Sequence, residues 1–147
     1  MKIRFTPDIF FAILLILSLL FHFCYPVSII VKYPFTIFGL FIAFCGFILV
    51  SISNSVLIKN KTSIKAFHNP DFLVTSGPFK FSRNPIYLGM MLILSGFNIF
   101  LGSLIILVFP ALFVIIINKI IKKEELKLEE FFGEKYLNYK NKVGKWI

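Results

Sequence analysis

The chain is poor in acid, poor in metal-ligand side chains and without any strand pattern. Asp and Glu number 7 against 16 Lys and Arg, which leaves a formal net charge of +9. Only two cysteines occur, Cys24 and Cys45. Both lie inside apolar runs, and their spacing forms neither a disulfide framework nor a zinc motif. They are expected to be small, buried apolar side chains. His22 and His68 have no companion at ligand spacing, so both are expected to be structural and no metal site is expected. No glycine-rich loop follows a strand, which removes a dinucleotide fingerprint. No internal repeat or low-complexity linker divides the chain. The N-terminal apolar run is too long for a signal-peptide core, and no small-x-small cleavage site follows it, so it is read as a retained membrane helix.

What is present is apolar bulk. The hydrophobic fraction is 58%, with 20 Phe, against roughly 45–50% apolar content in soluble domains. The excess is gathered in four runs: Ile9 to Val31, with Pro26 near its outer end, Phe35 to Ile58, Ile86 to Leu101 and Ser103 to Ile121. A helix needs ~20 residues to cross the hydrocarbon. The first two runs meet that length. The last two are shorter and form an expected tight hairpin, with Asn98 and Gly102 near its turn, and Pro110 predicts a kink in the fourth. The expected fold is an all-α integral membrane protein of about four transmembrane helices with a cytoplasmic C-terminal helical tail. It forms one domain over 1–147, with two N-terminal membrane helices in 1–58 and a loop, hairpin and tail in 59–147.

The positive charge sits at the ends and in one connection, which fits membrane topology and not nucleic-acid binding. Lys2 and Arg4 precede the first run. Lys59, Lys61, Lys65, Lys80 and Arg83 lie between the second and third. Eight lysines, from Lys119 to Lys145, follow or end the fourth. The hairpin turn carries none. By the positive-inside rule both termini and the Lys59–Pro85 connection face the cytoplasm, and anionic lipid headgroups are natural neighbours of the lysines. The connection is rich in apolar and turn residues (Phe67, Pro70, Phe72, Leu73, Val74, Gly77, Pro78, Phe79), which points to packed structure.

Two clusters on that side could carry chemistry. In Gly77–Gly89, Gly77-Pro78 is a turn signal, Asn84 is held out of helical geometry by Pro85, and Pro85 suits the first turn of the third membrane helix. Arg83 beside free helix N–H groups makes either an anion site or a cationic anchor with a helix cap. In the tail, Ile117, Ile120, Ile121, Leu128 and Phe131 share a helix face that includes Glu124, with Glu125 at its edge. A carboxylate on an apolar face needs a partner. Glu124 either pairs with Lys127 at i,i+3 or serves the site, and Glu125 and Glu129 repel at i,i+4. Gly133 is expected to end the helix. Tyr136 and Tyr139, three apart, either form one aromatic face over a cofactor site or anchor the tail at the interface.

Leu73-Val74-Thr75-Ser76-Gly77-Pro78-Phe79-x-Phe81-x-Arg83-Asn84-Pro85-x-Tyr87-Leu88-Gly89 resembles the signature of the isoprenylcysteine carboxyl methyltransferase and phospholipid methyltransferase superfamily. So does Glu124-Glu125-x-x-Leu128-x-x-x-Phe132-Gly133-x-x-Tyr136-x-x-Tyr139-x-x-x-Val143. The resemblance implies an integral membrane methyltransferase that uses S-adenosyl-L-methionine, bound on the cytoplasmic side. It implies that Gly77, Pro78, Arg83, Asn84, Pro85, Tyr87 and Gly89 frame the cofactor, and that Glu124 and Glu125 form the shared Glu-Glu element. It associates the second glutamate with substrate in carboxyl methyltransferases, whereas the periodicity favours Glu124. Asn84 stands where many relatives have His, and Lys119-Ile120-Ile121 stands where carboxyl methyltransferases carry an arginine. Lys119 or Arg83 is then the candidate substitute. The expected catalytic residues are Arg83, Glu124 and Glu125. The expected acceptor is a lipid-like or prenylated molecule methylated on a carboxylate, with a phospholipid amine as the alternative and a non-catalytic scaffold as the third reading. A carboxylate is ionised and needs only a cation to bind it, while an amine must lose a proton, which a glutamate can take.

Overall fold

A computed structural model describes residues 6–24, 32–60, 72–102 and 107–147. Lys2, Arg4, Pro26, Lys61, Lys65, Phe67, His68, Pro70 and Ser103 lie outside the described residues. The described residues form five α-helices, with no strand among them: α1 Pro7–Cys24, α2 Thr36–Lys59, α3 Pro85–Phe100, α4 Val108–Phe132 and α5 Glu134–Lys142. A 3-10 turn, Gly77–Lys80, precedes α3. Helices α1 and α2 are long and apolar enough to cross a membrane; α3 is apolar but shorter.

The helix ends follow local chemistry. Pro7 and Pro85 open α1 and α3, where a missing N–H costs nothing and φ is already helical. Gly133, at φ +50°, breaks α4 from α5, and its N–H closes on the carbonyl of Glu129 at 2.9 Å. Pro110 was expected to kink the fourth helix. It instead sits within the first turn of α4, where no intrahelical N–H is lost, so it needs no kink.

Small residues decide how α2 meets α3. A Cβ at Gly46 would lie 2.6 Å from the carbonyl oxygen of Gly89, and one at Gly96 would lie 2.5 Å from both Gly39 O and Ala43 N. Gly39 faces Gly96 and Phe100, while Gly46 faces Gly89 and Ile93, so the two helices run antiparallel with their backbones in contact. In lipid there is no hydrophobic gain in pairing two apolar helices, and close approach over small residues supplies dispersion instead. Helices α1 and α4 are also antiparallel: Phe11 packs edge-on to Phe113 and Phe21 to Phe109, each at 6.1 Å between ring centroids. Leu14, Met90, Leu94, Phe113, Ile117 and Ile121 form the core between α1, α3 and α4.

The alternation of direction brings the end of α2, the start of α3, the polar half of α4 and all of α5 to one end of the bundle. The outward faces stay apolar: Phe38, Phe41, Phe44 and Phe47 of α2 are all exposed. Cys24 and Cys45, expected to be buried, are exposed on these outward faces. The reason is that α1 and α2 are apolar around their whole circumference, so being apolar did not select the inner face.

Candidate active site

The site is built where the start of α3 meets the end of α4 and the tail. Three consecutive residues, Ser82-Arg83-Asn84, leave the 3-10 turn and enter α3. Asn84 caps the helix with extended-side geometry (φ −130°, ψ 53°), and its side chain makes no capping bond. Its amide nitrogen instead donates to the carbonyl of Lys145 at 3.0 Å. Ser82 is buried, and its hydroxyl accepts from the Asn84 N–H and reaches Lys145 O at 3.4 Å.

Arg83 turns away from the helix mouth and into the tail. Its Nε donates to Glu125 Oε1 at 3.0 Å, and Nη2 lies 2.9 Å from the same oxygen. Nη1 donates to the carbonyls of Lys140 (2.8 Å) and Val143 (2.9 Å), the last turn of α5 and its cap. The Arg83 backbone N–H donates to Gly144 O at 3.0 Å. The two side chains are 10% and 11% exposed. A charged pair this buried is favoured when further hydrogen bonds satisfy its groups; Arg83 Nη1 gains two carbonyls, and the cation also suits the negative end of α5.

The two glutamates therefore divide. The buried stripe of α4 runs Pro110, Phe113, Ile117, Ile121, Glu125 at steps of three and four, so Glu125, not Glu124, continues the fully buried face. This differs from the expectation, which centred the stripe on Glu124 with Phe131. Phe131 is half exposed, because α5 folds back along the Glu125 side and covers it instead. Glu124 is half-buried and takes a different partner: the Tyr87 hydroxyl donates to both its oxygens, at 2.9 and 3.1 Å. Burial pushes the Glu124 carboxyl up to about 7, against the lowering effects of the Tyr87 hydroxyl and of Lys127. Glu129, expected to repel Glu125, is paired with Lys140 of α5.

Tyr136 and Tyr139 stand edge to face at 6.1 Å. Burial pushes both phenols up, that of Tyr139 to about 12, so both stay protonated donors. The Tyr139 hydroxyl donates to Phe79 O at 2.6 Å, which ties α5 to the 3-10 turn. Tyr136 is 1% exposed, and its hydroxyl has no hydrogen-bond partner among the described residues. Gly77 and Pro78 form that turn, with Gly77 at φ +62° against Val56 of α2. Gly89 faces Gly46 and Val50 in the α2 interface, one turn beyond Pro85. Lys119 is exposed. A cavity of about 260 Å³ opens between α4 and the tail, lined by Lys122, Glu125, Leu126, Glu129, Lys140 and Lys145. Among the described residues, no three His, Cys, Asp or Glu side chains come together as a metal site.

The structure thus joins both sequence blocks through Arg83–Glu125 and Tyr87–Glu124. The tail carbonyls of Lys140, Val143, Gly144 and Lys145 escaped the sequence reading. Carbonyl acceptors have no side-chain signature, and only the Pro-free, polar run after Tyr139 hinted at a defined path.

Known proteins share the sequence pattern and the fold of this chain. The sequence profile of the phospholipid methyltransferase family matches residues 34–135. A 63-residue stretch is 36% identical to an uncharacterized protein of Haemophilus influenzae, covering all of that protein and 42% of this chain. The solved structure of the eukaryotic intramembrane Ras methyltransferase, isoprenylcysteine carboxyl methyltransferase, superposes with a TM-score of 0.74 over 99% of this chain at 22% identity. The chain spans about half the length of that enzyme, 54%.

Proposed function

This chain belongs to the phospholipid methyltransferase family, and from that premise we propose that it is an S-adenosyl-L-methionine-dependent enzyme acting on the polar head of a membrane-partitioned, lipid-like acceptor. It is an all-helical membrane methyltransferase by family and fold. The described residues suit that cofactor. Tyr136 offers a buried hydroxyl without a hydrogen-bond partner among the described residues, the Tyr139 ring stands edge-on beside it, and Glu124, when ionised, complements a cationic donor. Tyr136, Tyr139, Glu124, Asn84 and the turn from Gly77 would hold it, with Pro85 and Tyr87 framing the start of α3. When bound, it supplies an activated methyl group on a sulfonium. The protein's part is then alignment of the acceptor, worth roughly 7–11 kcal/mol when well oriented.

The observation that carries the choice of acceptor is the division of labour between the two glutamates. Arg83, the candidate cation for a carboxylate, has its guanidinium committed to Glu125, Lys140 O and Val143 O. Glu124, held by Tyr87, changes protonation near neutral pH. A base of that strength next to the acceptor suits an amine, which must lose a proton before it can attack a methyl group. The geometry therefore favours the amine of a phospholipid headgroup over the carboxylate that the sequence pattern put first. The carboxylate of a prenylated or otherwise apolar molecule is the second reading, supported by the likeness in fold to the isoprenylcysteine enzyme over 99% of this chain.

The polar end of the bundle is proposed to face the cytoplasm, with four crossings and both termini on that side. The alternating helix directions and the lysines of the tail support it. The deciding experiment is transfer of radiolabel from S-adenosyl-L-methionine into a lipid extract, followed by base treatment. A base-stable product supports the amine and a base-labile one the carboxylate. No transfer to any lipid, with no saturable cofactor binding, would leave a scaffold and sink the enzyme reading.

A further inference from the structure

Arg83 is the most heavily engaged side chain of the site, and none of its named contacts leads to open space. It spans three things at once: the carboxylate of Glu125 on α4, the last carbonyls of α5, and, through its own N–H, Gly144. Ser82 and Asn84 on either side continue the same ladder to Lys145 O. The segment they hold is also fastened at both ends. Tyr139 bonds Phe79 O before it, and Trp146 packs against the bundle core after it. The held segment contributes Lys140 and Lys145 to the wall of the cavity whose other wall is Glu125 and Glu129. The buried hydroxyl of Tyr136, without a hydrogen-bond partner among the described residues, lies in the same neighbourhood, within electrostatic reach of Arg83, Glu125 and Glu129.

We propose that residues 140–145 are a working wall of the methyl-transfer site, and that Arg83 is its positioning residue, acting through Glu125 and the tail carbonyls and not on the reacting groups. The inference rests on the methyltransferase reading but does not depend on which acceptor is used. The fork geometry explains the residue type. A guanidinium can bond a carboxylate along one edge while its other nitrogen serves two carbonyls, and a lysine ammonium, a single compact charge, cannot reproduce that spread. The loop Ser82-Arg83-Asn84 would thereby couple the start of α3 to the tail, so that docking of the tail and binding of the cofactor favour one another.

The chain supplies its own reporter, since Trp146 is its only tryptophan. In the full-length, detergent-purified protein, Arg83→Ala should shift Trp146 emission to the red and open it to acrylamide quenching, with helical content retained. Affinity for S-adenosyl-L-methionine, read by titration calorimetry, should fall by roughly 5- to 150-fold, the usual span of coupling between sites. By reciprocity, saturating cofactor should restore part of the Trp146 shielding. Arg83→Lys should recover only a minor part of either signal. If Arg83→Ala does not accumulate, the double variant Ser82→Ala/Asn84→Ala removes the side-chain ties to Lys145 O, leaves the ion pair, and is read by Trp146 emission and quenching alone, since Asn84 is also placed beside the cofactor.

Three results would overturn the proposal. One is Trp146 released with cofactor affinity unchanged, which makes the tail structural only. Another is Trp146 still shielded. The third is loss of kcat with the tail docked and KM unchanged, which would place Arg83 on the reacting groups. A wild-type chain that binds no S-adenosyl-L-methionine would instead overturn the methyltransferase reading, and Trp146 release would still report whether Arg83 positions the segment.

Discussion

Replacing Glu124 by Gln tests the reading of the site most directly, because the carboxyl is costly to ionise where it stands. Its ordinary value of 4.5 is raised to about 7, chiefly by burial. At ~1.4 kcal/mol per pH unit that amounts to ~3 kcal/mol against the charged form. The sign follows from proton counting. Between pH 4.5 and about 7 the folded chain keeps a proton that the unfolded chain has lost. Stability contributed by this group is therefore whole below the unfolded value and falls as pH rises through the folded one. Glutamine keeps an acceptor oxygen for the Tyr87 hydroxyl and does not titrate. Glu124→Gln should match the wild type near pH 4 and exceed it by up to ~3 kcal/mol above pH 8, or roughly 6–12 °C in Tm for a chain of this size. Thermal unfolding followed by circular dichroism from pH 4 to 9 measures this. With an amine acceptor the same variant should lose roughly 10²–10⁴ in turnover, the usual worth of a general base. The wild-type rate should rise with pH through about 7. Coincident stability curves, or a variant less stable above pH 8, would refute the buried-acid argument. Unchanged turnover would refute the role as base.

Tyr87→Phe removes the phenol that donates to both Glu124 oxygens. That contact lowers the Glu124 value, so the rising limb of the pH–rate profile should move to more alkaline pH. Gly46→Ala should separate α2 from α3, because the new methyl lies 2.6 Å from a backbone carbonyl that has no side-chain freedom to yield. The expected cost is about 1–3 kcal/mol, read as a lower unfolding temperature. Tyr139→Phe loses the bond to Phe79 O. It should cost ~1 kcal/mol, with limited proteolysis becoming faster between α5 and the 3-10 turn.

Much of the molecule was legible before its structure. Runs of ~20 apolar residues name membrane helices without any tertiary knowledge, because lipid forces the backbone to satisfy itself locally. Pro85 and Gly133 marked helix ends through φ preferences that belong to single residues. The two spaced blocks were found as a pair, and they meet in space. What was not legible lay in orientation. Cys24 and Cys45 could not be assigned a side because α1 and α2 have no polar face. Glu124 and Glu125 stand about 100° apart around α4, one on either side of the apolar stripe, and which of them is covered is set by the path of the tail and not by the stripe.

Local residues suffice to make the chain helical, to suit it to lipid, and to gather an arginine, a tyrosine and two glutamates in two polar blocks. Those properties are sums over neighbours in the chain. What the arginine does depends on how the helices and the tail pack. Gly77–Gly89 reads as a cationic turn offering Arg83 to a ligand, yet the fold brings four backbone carbonyls and Glu125 to that turn. Backbone carbonyls are the same in every residue, so their arrival at Ser82-Arg83-Asn84, two of them at the guanidinium, is set by the path of α5 and its tail, and no pattern of side chains announces it.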